Sequence, residues 1–263
     1  MTVLLTGSTG FLGTWIAKDL ESRKVQWRAL KVRLHQLGPA ELEGVSTVIH
    51  CAGQTPRSGI RDEAFFEINA MGTRHLLEQC ERARVKRLIY VSSMGVKFPS
   101  SLYAQSKLAA EESVKRSGLE WLILRPAHAY GPNEELLHLF RKLRRKRIVS
   151  VLGFGRSPMH IIYVKDCAAA IVDAALSSRS GEILNIIAPD VSELEYYRVL
   201  RKVIGAKYLI VPRSLRWARK RKGNRWIELQ TTGLRIPGMP DWEFVATPLN
   251  VAMKESYLAV EST

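Results

Sequence analysis

The chain has 263 residues, 46% of them hydrophobic, which suffices for one large core or for one core with a small appended lobe. No stretch approaches the roughly 20 apolar residues of a membrane span, and Cys51, Cys80 and Cys167, odd in number and in no Cys-x-x-Cys arrangement, read as reduced, packed thiols. A formal net charge of +15 asks for a strongly solvated surface or an anionic partner.

Val3-Leu4-Leu5 is an apolar run of strand length so close to the first residue that no leader is expected, and with it a cytoplasmic location. Thr6-Gly7-Ser8-Thr9-Gly10-Phe11-Leu12-Gly13 follows, and then Trp15, Ile16 and Leu20 repeat as one buried helical stripe. Strand, glycine turn and helix in that order suit a dinucleotide. Glycines at 7, 10 and 13 allow a tight turn, approach of a pyrophosphate to main-chain N–H groups, and close packing of helix on sheet. The helix amino terminus then presents its partial positive charge to the phosphates.

From Ser22 to Ala40 there is no acidic residue, but there are Arg23, Lys24, Arg28, Lys31 and Arg33. An acidic side chain near the end of the second strand suits the ribose hydroxyls of NAD, whereas a basic one accommodates a 2′-phosphate. The sequence therefore favours NADP(H), with NAD(H) as the alternative, and offers Arg28, Lys31 and Arg33 as the recognising residues. A merely basic strand edge is the plainer reading.

Buried strands are expected at Val48 to Gly53, Leu88 to Ser93 and Leu122 to Pro126, with helices between them at Glu67 to Arg84 and Gln105 to Arg116. Strands alternating with helices imply an α/β fold, a doubly wound parallel sheet covered on both faces. Ligands of such sheets bind beyond the carboxyl ends of the strands, where Gly7, Gly53, Ser93 and Pro126 fall. Tyr103 and Lys107 lie one helical turn apart in Tyr103-Ala104-Gln105-Ser106-Lys107. On its own such a pair is usually a solvated surface contact. Downstream of the glycine turn it points to redox chemistry.

Taken as a set, the motifs TGSTGFLG, VIHCAG at 48 to 53, NAMGTRHLLE at 69 to 78, YVSSMGV at 90 to 96, YAQSK at 103 to 107, LRPAHAYGP at 124 to 132 and IIYVKDCAAAI at 161 to 171 resemble an extended short-chain dehydrogenase/reductase of the nucleotide-sugar epimerase/dehydratase type. The resemblance runs from about 1 to 188. It implies a Rossmann domain over 1–188, with 133–165 contributing to a small carboxyl-terminal substrate lobe over 189–263. It implies that Ser93, Tyr103 and Lys107 are catalytic: Ser93 holds the substrate oxygen, Tyr103 exchanges its proton, and Lys107 acidifies the phenol and bonds the nicotinamide ribose. An ordinary phenol, with a pKa near 10, needs such help to act as a base near neutrality. Ser92 competes with Ser93, but counting back from Val96 favours Ser93.

Cofactor positions implied in the same way are Gly7, Thr9, Gly10, Phe11, Leu12, Gly13, Cys51, Ala52, Gly53, Asn69, Tyr103, Lys107 and Pro126. For Asn69, on what the family makes the helix after the fourth strand, an amide that satisfies nearby backbone groups is an equal reading. Ser93, His128 and Tyr130 are the implied substrate contacts, His128 standing where sugar-nucleotide enzymes often place an asparagine. No metal site is expected. The family's adenine-contacting acid after the third strand is replaced by His35 or Gln36. None of Met94 to Leu102 is acidic, which disfavours a 4,6-dehydratase.

The function these readings support is an NADP(H)-dependent oxidoreductase acting on a carbonyl or alcohol of a small, anionic substrate. An epimerase working through a transient keto intermediate uses the same residues, and a non-catalytic NADP-binding assembly factor is the alternative from another class. Relatives often dimerise through the helices of the Tyr103 region, so a homodimer is an implied assembly. Residues 182 to 187 look like the strand that returns to the substrate lobe, and prolines at 237, 240 and 248 mark loops. Arg141 to Arg147 holds six basic residues in seven, and Arg219-Lys220-Arg221-Lys222 follows Trp217. These clusters read as solvated helix ends or as contacts for an acidic carrier or an anionic membrane surface. Nucleic acid is disfavoured, because no recognition module accompanies the charge.

Overall fold

The structure, a computed structural model, describes residues 1–56, 61–97, 99–216 and 241–261. In chain order these form β1 (Val3–Thr6), α1 (Phe11–Ser22), β2 (Trp27–Ala29), β3 (Thr47–His50), α2 (Glu63–Phe65), a π-helical stretch (Phe66–Met71), α3 (Gly72–Arg82), β4 (Arg87–Val91) and α4 (Leu102–Lys115). Next come β5 (Glu120–Pro126), β6 (His128–Tyr130), α5 (Glu134–Arg144), β7 (Ile148–Leu152), β8 (Pro158–Met159), β9 (Ile161–Tyr163) and α6 (Val164–Leu176). The chain continues through β10 (Glu182–Ile186), β11 (Val191–Ser192), α7 (Glu193–Val203), β12 (Leu209–Arg213) and α8 (Leu249–Glu261). The basic run 219–222 and the prolines at 237 and 240 lie outside the described residues.

Two compact units divide these elements. One holds the described residues of 1–127, 167–186 and 241–244, the other those of 128–166, 187–216 and 245–261.

The first unit is a six-stranded sheet in the order β10-β5-β4-β3-β1-β2, parallel throughout. Every residue of β1, β3 and β4 is buried. That is why these strands read as unbroken apolar runs rather than alternating ones. Leu4, Val48, Leu88, Tyr90 and Ile123 turn to one face, where they pack with Leu76, Leu77 and Cys80 of α3 and Ala110 and Val114 of α4. The pleat sends Val3, Leu5, Ile49 and Ile89 to the other face. There α1 packs on β1, and an ion pair from Arg23 to Asp173 holds α6 beside α1. Truncating a fully buried side chain such as Leu88 to alanine costs ~2–5 kcal/mol. The sheet is doubly wound and Rossmann-like, and the order changes hand at β1, which has β2 on one side and β3 on the other. The crevice beyond β1 and β3 is where such sheets bind ligands.

Differences from the sequence expectations are local. No strand forms between β2 and β3; residues 34–36 and 39–42 make short 3-10 turns instead. Asn69 consequently sits after the third strand rather than the fourth, and His35 and Gln36 precede the third strand. Strands β3 and β4 end earlier than expected, at His50 and Val91. Residues 182–186 form the sheet's edge strand, β10, in parallel register with β5. Asp241 and Trp242 cover its outer edge through Asn185, whose Nδ2 donates to Asp241 Oδ1 at 3.1 Å and whose carbonyl accepts from Trp242 N at 2.7 Å.

The second unit is built from three two-stranded ribbons, β6 with β9, β7 with β12, and β8 with β11, together with α5, α7 and α8. Phe140, Leu200, Tyr208 and Met253 are completely or almost completely buried in it. Asn133 Oδ1 accepts from Leu136 N at 2.7 Å to cap α5, and Ser192 Oγ from Glu195 N at 3.1 Å to cap α7. Among the described residues, no helix is long and apolar enough to cross a membrane.

Candidate active site

At the end of β1 the backbone turns through Gly7, whose φ of +72° favours glycine. A Cβ there would lie 2.6 Å from Ala52 N, so the turn after β1 touches the loop after β3. At Gly13 a Cβ would come within 1.9 Å of Gly7 O, which no L side chain could tolerate. Gly10 N donates to Gly7 O at 3.0 Å, and Gly10 precedes α1 without a side-chain cap. Thr9 and Gly10 are exposed, Phe11 and Leu12 half-buried. Helix α1 therefore opens towards the crevice with its positive end free of a capping side chain. These residues fit a dinucleotide pyrophosphate.

A histidine that the sequence reading passed over ties this turn to the next loop. Ala52 N donates to Thr6 Oγ1 at 3.1 Å, and Thr6 Oγ1 lies 2.7 Å from His50 Nδ1. His50 Nε2 is 2.9 Å from Thr73 Oγ1, which donates to Asn69 O at 2.6 Å. With Thr73 donating onward, its oxygen takes a proton from Nε2; Nδ1 then accepts from Thr6. Such a chain needs a neutral imidazole. Burial first, and the Lys107 charge second, lower the His50 pKa to about 3. The only hint in the sequence is a polar residue inside an otherwise apolar strand.

Asn69 lies in the π-helical stretch, 1% exposed. Its Oδ1 accepts from Gln54 N at 2.7 Å, and its Nδ2 donates to Gln54 O at 3.0 Å and to Ser106 Oγ at 3.0 Å. The side chain thus satisfies backbone groups, as one of the two readings expected. Through Ser106, which donates to Tyr103 O at 2.8 Å, it also fastens the loop after β3 to the first turn of α4. A π-bulge at such a place re-aims one side chain without ending the helix. Gly53 keeps this contact possible, since a Cβ there would stand 3.0 Å from Asn69 Oδ1.

Helix α4 starts at Leu102 because Ser101 Oγ accepts from Ala104 N at 3.1 Å. Tyr103, Lys107 and Glu111, at i, i+4 and i+8, form one stripe along it. The Ser93 side chain acts on the Tyr103 hydroxyl. Ser93 Oγ also accepts from Gly95 N at 3.1 Å. Phe65 meets the Tyr103 ring edge-on at 6.0 Å. Lys107, 5% exposed, donates from Nζ to Val91 O at 2.7 Å and stands 4.3 Å from the centre of the Tyr90 ring. Ser92 points elsewhere: its Oγ donates to Glu111 Oε1 at 2.5 Å. Arg125 reaches the same carboxylate, with Nε to Oε1 at 2.9 Å and Nη2 to Oε2 at 2.6 Å.

The electrostatics correct one expectation. Burial raises the Tyr103 pKa above its ordinary value, the Ser93 hydrogen bond opposes that rise, and Cys51 adds to it. Lys107 is not among the causes. Its ammonium is directed to the Val91 carbonyl, and burial lowers its own pKa to about 8 against the raising influence of Cys51 and Glu111. Cys51, half-buried beside it, has its thiol pushed up to about 11 by burial, with Lys107 opposing. A thiol so held is protonated near neutrality.

Of the residues proposed to read the cofactor's ribose, Lys31 and Arg33 are exposed just beyond β2. Arg28 is otherwise engaged, its Nη2 donating to Glu41 O at 2.8 Å and Glu43 O at 2.7 Å. Pro126 is buried at the end of β5. The structure brings Gly7 to Gly13, Cys51 to Gly53, Asn69, Ser93, Tyr103 and Lys107 together in the first unit. His128 and Tyr130 belong to the second, on β6, where His128 is exposed and Tyr130 is buried against Tyr163 at 5.8 Å. That unit also carries an open surface cleft of about 680 Å³ lined in part by Leu152, Phe154, Arg156, Arg213, Leu215 and Arg216.

Similarity to known proteins follows the same outline. Residues 3–186 match the model of the NAD dependent epimerase/dehydratase family. The chain is 32% identical over 238 residues to ceramide reductase of Caulobacter vibrioides, covering 81% of this chain and 73% of that protein. It is 25% identical over 210 residues to human sterol-4-alpha-carboxylate 3-dehydrogenase, decarboxylating, covering 64% of this chain and 56% of that one. The match thus spans little more than half of the human relative's length. A UDP-glucuronic acid 4-epimerase from Bacillus cereus in complex with NAD superposes with a TM-score of 0.74 at 18% identity, over 100% of this chain and 99% of that one. The chain accordingly belongs to the NAD dependent epimerase/dehydratase family, within the extended short-chain dehydrogenases/reductases, and is an enzyme of that kind.

Proposed function

We propose that this enzyme is an NADP(H)-dependent oxidoreductase that reduces a carbonyl on a small amphipathic substrate carrying an anionic group. The observation that carries the reading is the Tyr103 phenol acted on by the Ser93 side chain, with the Lys107 ammonium one turn along and buried. Hydride transfer to the carbonyl carbon is the chemistry that a bound nicotinamide dinucleotide supplies. Gly7 to Gly13 hold its pyrophosphate, and Lys31 and Arg33 meet its 2′-phosphate.

Ser93 Oγ positions the carbonyl oxygen. Tyr103 gives its phenolic proton to that oxygen, so that an alcohol and a tyrosinate result, and solvent then reprotonates the tyrosinate; Lys107, directed away from the phenol, is assigned to the nicotinamide ribose. A phenol whose pKa burial raises stays protonated near neutrality. It is therefore prepared as a proton donor, which suits reduction better than oxidation.

For the substrate, support comes from ceramide reductase and the sterol dehydrogenase, whose names describe redox chemistry on lipids. His128 is retained as a substrate contact. Tyr130, buried on Tyr163, would act by supporting the strand that carries it. Screening keto-lipids and keto-acids with purified enzyme, followed by NADPH absorbance, tests the reading. NADPH oxidation that depends on a carbonyl compound is the expected result. Interconversion of a sugar nucleotide with no net use of NADPH would replace it by the epimerase reading, which the likeness to the Bacillus cereus enzyme favours.

A further inference from the structure

We propose that one end of the second unit is a docking surface for an anionic lipid bilayer. Three observations converge there. Helix α5 runs out in Arg141, Lys142, Arg144 and Arg145, and Lys146 and Arg147 lead straight into β7; all six are exposed. Among the described residues only Arg144 of the six finds side-chain partners, donating to Glu261 Oε1 at 3.1 Å and to the Tyr257 hydroxyl, and it donates also to Ile204 O at 3.2 Å. Arg141, Lys142, Arg145, Lys146 and Arg147 make no ion pair with any described residue.

The bond from Arg144 to Ile204 O also brings the end of α7 to this place, with exposed Lys202 and Lys207 on either side of it. Beside these cations stand two large aliphatic side chains. Ile148 and Leu209 are register partners at the start of the β7–β12 ribbon, 56% and 64% exposed, and Leu209 N donates to Arg147 O at 2.9 Å.

Compensation of a helix carboxyl terminus explains only part of this. The partial charge there is about half an elementary charge and is met by a single cation, a role Arg144 already fills. Five further cations with no ion pair among the described residues, around an exposed aliphatic pair, match a bilayer interface instead. Phosphodiester headgroups take the charges, and the acyl boundary takes Ile148 and Leu209. A nucleic acid would use the charge but has no use for the aliphatic pair, and the aromatic ring beside these cations, Tyr257, is half-buried and already taken by Arg144. This inference does not depend on the identity of the reduced carbonyl.

Co-sedimentation of the full chain with vesicles tests it. Vesicles of phosphatidylglycerol and phosphatidylcholine in equal parts should bind the protein, pure phosphatidylcholine should not, and raised salt should release it. The variant Arg141→Gln, Lys142→Gln, Arg145→Gln, Lys146→Gln, Arg147→Gln should lose affinity by roughly fivefold per charge removed. Ile148→Ser with Leu209→Ser should weaken vesicle binding severalfold at unchanged charge. Both variants should keep the wild-type circular dichroism and NADPH affinity. Equal binding to both vesicle types, undiminished binding by the five-residue variant, or retention on single-stranded oligonucleotides without retention on vesicles would overturn the proposal.

Discussion

Glu111 and Arg125 form a two-point ion pair inside the first unit, Nε to Oε1 at 2.9 Å and Nη2 to Oε2 at 2.6 Å, with the Ser92 hydroxyl on the same Oε1. This joins α4 to the ends of β4 and β5 and so fixes the phase of the helix that carries Tyr103 and Lys107. Glu111 is 0% and Arg125 6% exposed. Removing one partner leaves the other charge buried. Glu111→Ala should lower stability by ~3–5 kcal/mol, read by denaturant unfolding. A change within about 0.5 kcal/mol, the range of ordinary surface substitutions, would show that the pair does not organise the site.

The glycine turn predicts a graded response. A Cβ at Gly13 meets the Gly7 carbonyl at 1.9 Å, whereas one at Gly10 stands 3.3 Å from the same oxygen. Gly13→Ala must displace backbone; Gly10→Ala needs a shift of a few tenths of an ångström. Titration with NADPH by fluorescence should give a loss of more than about tenfold for Gly13→Ala, or 1.4 kcal/mol, and a smaller one for Gly10→Ala. Equal losses would mean that the turn is not the phosphate cradle.

Arg28, Lys31 and Arg33 should separate into two behaviours. Arg28 Nη2 holds two backbone carbonyls, so Arg28→Ala should lower stability by about 1–3 kcal/mol with little effect on cofactor preference. Lys31→Ala with Arg33→Ala should lower the ratio of kcat/KM for NADPH over NADH by roughly tenfold or more, while stability stays near wild type. An unaltered ratio would remove both residues from 2′-phosphate recognition.

Acid should loosen the fold through His50. Its pKa falls from 6.5 in the unfolded chain to about 3 in the folded one. Between those values the unfolded chain binds more protons, so stability is fully present above about 6.5 and is lost as pH falls towards 3. His50→Gln, which keeps hydrogen bonding but does not titrate there, should show a flatter dependence of melting temperature on pH across that window. Parallel curves for the two proteins would contradict the neutral Thr6–His50–Thr73 chain.

Much of this site was legible because its signals are local. Glycine spacing reports backbone clearance directly, and Tyr103 and Lys107 reveal themselves by one helical turn. Asn69 admitted two readings because the partners of its amide, Gln54 and Ser106, are distant in sequence and only the fold brings them to it. Glu111 could have been found as the next i+4 step after Lys107, paired with the lone charge in the apolar run Leu122 to Pro126. The direction of the Lys107 ammonium could not, since it depends on where the Val91 carbonyl lies. Residues 30 to 46 likewise carry no strong period, and their 3-10 turns follow from packing against β1 and α3.

The account rests on Tyr103 as the proton donor, and Tyr103→Phe tests it most directly, with turnover and NADPH affinity measured on the same preparation. The ring and its contact with Phe65 remain, and only the hydroxyl is lost. A fall in kcat of ~10²–10⁴ with NADPH binding unchanged is the predicted result. Carbonyl-dependent NADPH oxidation at the wild-type rate would contradict it.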